Sequence, residues 1–77
     1  MNYCLETSSR SGYGTRIYPN YPEALQAYNT AWCFEGEVRL LEGNFEETRS
    51  GFILEHGRSS VVMSQQFDHE GNLIPPF

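Results

Sequence analysis

The sequence predicts an α+β fold: a single domain, residues 1–77, in which a small antiparallel sheet of four or five strands carries one α-helix on one face. Three observations lead there. Residues 20–36 carry one helical stripe of apolar side chains between a capping signal and a glycine. The segments on either side read as strands separated by turn-rich stretches. A chain of 77 residues has room for only one thin core, and a helix laid on a sheet fills it.

The helix is the clearest element. Asn20 is a good N-cap, Pro22 sits in the first turn where its missing N–H costs nothing, and Glu23 completes an Asn-x-x-Glu box. Tyr21, Ala24, Leu25, Tyr28, Ala31 and Trp32 then recur at the 3, 4, 7 spacing of one helical face. Gly36 is the natural stop. The helix is expected to run for roughly 14 residues, about 21 Å, and to bury Trp32 on its stripe.

Asn2–Ser8 and Tyr13–Tyr18 are expected to form a hairpin about Ser9-Arg10-Ser11-Gly12. After the helix, Glu37–Glu42 and Arg49–His56 flank the turn signal Gly43-Asn44, with Phe45-Glu46-Glu47 extending the loop. Ser60–Phe67 follows His56-Gly57-Arg58, and residues 68–72 turn the chain before Leu73-Ile74; Pro75 and Pro76 end regular structure. The order is β-β-α-β-β-β, with a short last strand. Alternation turns Tyr3, Leu5, Ile17, Val38, Leu40, Phe52 and Leu54 toward the helix. It leaves Cys4, Glu6, Arg16, Tyr18, Arg39, Leu41, Ile53 and Glu55 on the open face.

Ten acidic residues face five Arg and no Lys, for a net charge of −5. Phosphate backbones are bound through many Lys and Arg contacts, and anionic membranes attract polybasic segments. Neither nucleic acid nor a membrane is therefore expected as a direct partner, whereas a protein with a basic surface is. Apolar runs such as Trp32-Cys33-Phe34 are only a few residues long. No transmembrane span or signal region is expected, and the cytoplasm is the expected compartment. Cys4 and Cys33 do not make a disulfide framework; they read as reduced thiols, with a single bridge between them as the alternative.

Catalysis needs a nucleophile, base or metal held by its neighbours. His56 ends a strand and His69 sits in a turn, and neither has metal-ligand spacing to another His or Cys. A Cys–His pair is opposed by the expected burial of both thiols. The carboxylate pairs Glu35/Glu37 and Glu46/Glu47 flank the helix stop and fill a loop, with no pocket implied. Gly12-Tyr13-Gly14 begins like a phosphate-cradling loop but runs into a strand rather than a helix. No catalytic residue, cofactor or metal is expected.

Binding surfaces are easier to find. Between Glu23 and Glu35 the helix carries no charge, so its outward positions Gln26, Asn29, Thr30 and Cys33 are neutral. A solvated helix back usually bears Lys and Glu there, so either the tail Pro75-Pro76-Phe77 or a partner is expected to cover it. Glu35, Glu37, Glu42, Glu46 and Glu47 fall within thirteen residues, opposed there only by Arg39. Together they suggest a negative patch for Arg or Lys of a partner. The sheet edges offer a third route, pairing with another copy or another protein.

In its format, a compact acidic α+β domain with no catalytic constellation, the chain resembles small phage and mobile-element proteins that block host defences, such as anti-CRISPR proteins. The resemblance implies a non-catalytic inhibitor or adaptor that occludes a basic nucleic-acid-binding surface of its target. It shares no motif, so it assigns no residue a role. The alternative is a small homodimeric accessory or regulatory module.

Overall fold

The computed structural model describes residues 1–75. β1 (Asn2–Ser9) and β2 (Gly12–Tyr18) form a hairpin turned by Arg10-Ser11, with Gly12 at φ 145° closing it. The helix α1 (Tyr21–Thr30) follows, then β3 (Gly36–Gly43). Beyond these lie β4 (Phe45–Glu47), β5 (Ile53–Glu55), β6 (Ser60–Phe67) and β7 (Leu73–Ile74). The main sheet has the order β2-β1-β3-β6-β7 with every pairing antiparallel, and β4 and β5 make a separate two-stranded ribbon.

The helix begins where its capping residues place it. Asn20 Oδ1 accepts the Glu23 N–H at 3.0 Å, and the Asn20 side-chain amide donates to the Glu23 carboxylate at 3.0 Å. It ends early. Ala31 is already extended, its N–H bonded to Tyr28 O, and the Thr30 hydroxyl donates back to the carbonyls of Gln26 and Ala27. The helix is thus 10 residues long rather than 14. Ala31–Glu35 form an irregular connection, and Trp32 leaves the expected stripe.

Ala24 and Tyr28 of the helix pack with Cys33, Val38, Leu40 and Phe67 to form the core, flanked by Tyr3, Leu5, Tyr18, Ala31 and Met63. Cys33 is buried, as expected of both thiols, although the helical spacing places it outward; the helix has ended before it. Tyr3, Leu5, Val38 and Leu40 face the helix as alternation requires. The strand β2 is turned over relative to that expectation: Tyr3 opposes Tyr18 and Cys4 opposes Ile17. Tyr18 therefore joins the core side, Arg16 shares a face with Leu5, and Ile17 lies with Cys4 on the opposite face. Two adjacent apolar residues at the strand end make either phase acceptable, and the two-residue turn decides it.

The segment expected to pair with β3 does not. β6 occupies that place, with an irregularity in register between Leu40 and Leu41, and only Ile53–Glu55 of the expected Arg49–His56 strand is extended. β5 pairs back on β4 around a turn in which Phe52 N–H donates to Thr48 Oγ1 at 3.1 Å and Gly51 takes φ 86°. Asn2 pins this ribbon to the sheet: its side chain donates to Phe45 O at 2.9 Å and accepts the Phe45 N–H at 2.8 Å. Ile53 consequently comes to the sheet face opposite the helix, beside Cys4 and Leu41. Phe52 and Leu54, expected in the core, are exposed. No helix among the described residues is long and apolar enough to cross a membrane.

Candidate functional site

The five carboxylates close in sequence are spread in space. Glu37 and Glu42 stand on opposite faces of β3: Glu42 accepts the Tyr3 hydroxyl at 2.7 Å on the helix side, and Glu37 pairs with Arg39 at 3.4 Å on the other. Five residues of strand also separate them by about 17 Å along the chain. Glu46 meets His56 at 2.9 Å on the outer face of the ribbon, while Glu47 opposes Ile53 on its inner face. Glu35 lies at the far end of β3, 3.6 Å from Arg10. Gln26, Asn29 and Thr30 are exposed on the helix, and Gln26 and Thr30 line a shallow groove with Glu23, Tyr18 and Pro19. Pro75 is exposed, and the remainder of the tail expected to cover this face lies outside the described residues.

What the fold does assemble is an aromatic surface beside Glu35. Because the helix stops at Thr30, Trp32 projects outward and remains 60% exposed. Phe34 meets it edge-on, with ring centroids 4.9 Å apart at 88°. Both rings rest on the turn that joins β6 to β7, where Gly71 takes φ 83° and a Cβ would come within 3.1 Å of the Phe34 ring. Glu35 then takes φ 48°, rare for a residue with a side chain, and its N–H donates to Asp68 O at 2.8 Å. That bond ties the aromatic segment to the turn.

The same turn supplies charge. Asp68 Oδ1 accepts the N–H groups of Asn72 and Glu70, each at 2.9 Å. These donors hold its carboxyl below the ordinary range, the Asn72 bond contributing most. Glu70 is exposed 3.5 Å from His69, and Glu35, next to Phe34 in the chain, is exposed 3.6 Å from Arg10. Two large rings thus stand in the open on a segment and a turn that together carry three carboxylates, Glu35, Asp68 and Glu70, with Arg10 beside Glu35. Trp is among the residues enriched in interaction hot spots, which lie within a polar rim.

Comparison with known proteins gives no match. No protein-family model, no curated protein and no solved structure matches this chain.

The chemistry-bearing groups are distributed differently. Cys4 and Cys33 are both buried and free, on opposite sides of the main sheet, and burial pushes both thiols up. His56 lies on the ribbon and His69 in the β6–β7 turn. Among the described residues no group of three or more His, Cys, Asp and Glu side chains is arranged to hold a metal ion. Glu35 is the one acidic residue from the sequence-derived group that belongs to the aromatic surface. Trp32, Phe34, Asp68 and Glu70 were not legible as site residues, because the apolar spacing carries the helix past Thr30. The uninterrupted Trp32-Cys33-Phe34 run was the available signal: two flanking aromatics around one small buried residue suit an extended chain whose alternate side chains point outward.

Proposed function

We propose that this chain is a non-catalytic protein-binding module, an inhibitor or adaptor, that docks on a basic protein surface through Trp32 and Phe34. The observation that carries this reading is the exposed Trp32–Phe34 pair on a segment and turn that carry Glu35, Asp68 and Glu70. Aromatic rings supply contact area at low entropic cost and attract cations to their faces. Glu35, Asp68 and Glu70 select a partner rich in Arg and Lys and speed the encounter. Docking of that kind covers the groups a nucleic-acid-binding protein uses on phosphates. Phage and mobile-element proteins that block host-defence complexes, which this chain resembles in format alone, often occlude such a surface, and the same role is proposed for this chain.

The test is capture from a bacterial lysate on the tagged protein. The expected result is one stoichiometric partner, released at about 1 M salt, where the screening length falls to about 3 Å. The partner's own nucleic-acid binding is expected to be lost when this protein is added. Capture that survives high salt, or a partner whose nucleic-acid binding is unaffected, refutes the reading.

One observation favours a second reading, a homodimeric accessory module. β7 pairs only with Gln66 and Phe67, so Ser60–Gln65 of β6 forms a sheet edge without an outer neighbour among the described residues. That stretch carries no charge, and Val61 and Val62 are exposed on it. Such an edge invites a second strand. No captured partner, together with elution at twice the monomer mass, supports this reading against the first.

A further inference from the structure

The face of the sheet opposite the helix holds a cleft that the aromatic surface does not use. Cys4, Glu6 and Leu41 form its floor, and Tyr13, Gly14 and Thr15 of β2 form one wall. The ribbon overhangs it with Phe45, Phe52, Ile53 and Glu55. Its volume is about 560 Å³, inside the range of about 300–1,000 Å³ typical of ligand pockets.

We propose that this cleft receives the guanidinium group of an arginine side chain presented by a protein partner, held against the rings of Tyr13 and Phe52 and paired with the carboxylate of Glu55. The source of the arginine rests on the protein-binding reading above; the chemistry of the cleft does not.

Charge comes first. Glu6 and Glu55 line the cleft, and no Arg or Lys does. Glu6 is satisfied internally: Arg39 donates to it through Nε at 2.8 Å and through Nη2, and Tyr13 OH donates to its other oxygen at 2.8 Å. Glu55 forms no hydrogen bond or ion pair through its side chain among the described residues, and Glu47 projects from the same inner face of the ribbon. Arg39 also serves Glu37, so the cleft and its walls hold more negative than positive charge.

The rings choose among cations. Tyr13 is 66% and Phe52 71% exposed, both at the mouth of the cleft. A planar, weakly hydrated guanidinium stacks on such faces while its edge makes paired hydrogen bonds to a carboxylate; a compact ammonium cannot do both. Outside the lining, Arg39 already pairs with the Glu6 carboxylate, to whose other oxygen the Tyr13 hydroxyl donates. A metal ion is disfavoured, since no group of three or more ligating side chains is assembled among the described residues. The lining agrees with that source. Free arginine would bring its own carboxylate into a cleft lined by two others and no cation, whereas a side chain within a polypeptide brings none.

The experiment is an amide-shift NMR titration of the purified protein with capped arginine (N-acetyl, N′-methylamide). Capped citrulline serves as the neutral isostere, with capped lysine and free arginine alongside. Capped arginine should give saturable shifts at Gly14, Gly51 and Phe52 with a Kd on the order of 1 mM. Citrulline and lysine should bind about tenfold more weakly, as should the Glu55→Gln variant toward capped arginine. Glu55→Gln changes an exposed, unpaired side chain and should keep the parent Tm; Phe52→Ala gives a second, independent loss of binding. Citrulline binding as well as arginine, shifts outside the cleft, or unchanged affinity in Glu55→Gln overturns the proposal. Free arginine binding more tightly than the capped form overturns the protein source. No partner is needed, so a failed titration beside Trp32-dependent capture removes the cleft assignment alone. A successful titration beside failed capture removes the protein-binding reading, and with it the protein source of the arginine, and leaves the chemistry of the cleft.

Discussion

Replacing Trp32 by Ala separates a contact residue from a core residue, and the expected stability loss follows from the structure. Trp32 is 60% exposed, so of the roughly 250 Å² a buried Trp removes from water, about 100 Å² is covered here. At about 25 cal/mol per Å² this is at most about 2.5 kcal/mol, and a compact unfolded chain lowers it to about 1.5–2 kcal/mol. The Ala substitution should therefore cost about 2 kcal/mol once the edge-on contact with Phe34 is included. Leu40, fully buried between sheet and helix, provides the comparison; Leu40→Ala should cost about 3–5 kcal/mol. For a chain of this size total stability is about 4–12 kcal/mol, so the two variants should separate clearly in urea unfolding. With a slope of about 1 kcal/mol per M, the midpoint should fall by about 2 M for Trp32→Ala and by about 4 M for Leu40→Ala. A Trp32→Ala loss equal to that of Leu40→Ala refutes the placement of Trp32 outside the core.

Other substitutions test the positioning of the elements. Gly36→Ala puts a Cβ 2.2 Å from Ser8 O and 2.6 Å from Ser9 Cα; it should cost about 3 kcal/mol by forcing β1 and β3 apart, and a near-neutral variant contradicts their close approach. Glu6 and Arg39 face each other across the two central strands with both side chains partly buried. A double-mutant cycle should give a coupling of about 1–2 kcal/mol, and a value below about 0.3 kcal/mol, typical of an exposed pair, argues against the geometry. The Tyr13 phenol is pushed up from 10.0 to about 12, first by loss of solvent and then by its hydrogen bond to Glu6. Below pH 10 both states keep the proton and the contribution is complete; between 10 and about 12 the unfolded chain ionises first, so stability falls with rising pH. The parent-minus-Tyr13→Phe ultraviolet titration should show this, and Glu6→Gln should bring the midpoint down toward 10; an unshifted midpoint in the parent contradicts the contact.

The fold class was legible because its signals are local. Asn20, Pro22 and Glu23 fix where the helix starts through bonds spanning three residues, and the turns at residues 10–11 and 68–72 sit where the small polar residues are. The helix end was not legible. The apolar spacing continues through Ala31 and Trp32, while what stops the helix is tertiary: Glu35 must reach Asp68, and Gly36 must fit against the backbone of Ser8 and Ser9. Gly36 marks a special backbone position, as glycine often does, but it is a close approach between strands rather than a helix cap. The strand expected over Arg49–His56 was misplaced for a similar reason. Apolar residues there suit a strand in any partner's sheet, and Asn2, forty-three residues before Phe45, is what holds the ribbon apart. The acidic group shows the limit of reading sites from linear clustering. Glu37 and Glu42 are neighbours in sequence, and the pleat sends them to opposite faces.

In the proposed function, Trp32 and Phe34 form the contact surface for a basic partner. The most direct measurement is quantitative lysate capture by the parent, by Trp32→Ala and by Phe34→Ala, with each variant's folded fraction determined in the same buffer. The variants should remain folded, and capture of the parent's partner should fall by at least about thirtyfold for Trp32→Ala, a hot-spot loss of about 2 kcal/mol or more. Full retention of the partner by folded Trp32→Ala contradicts the account.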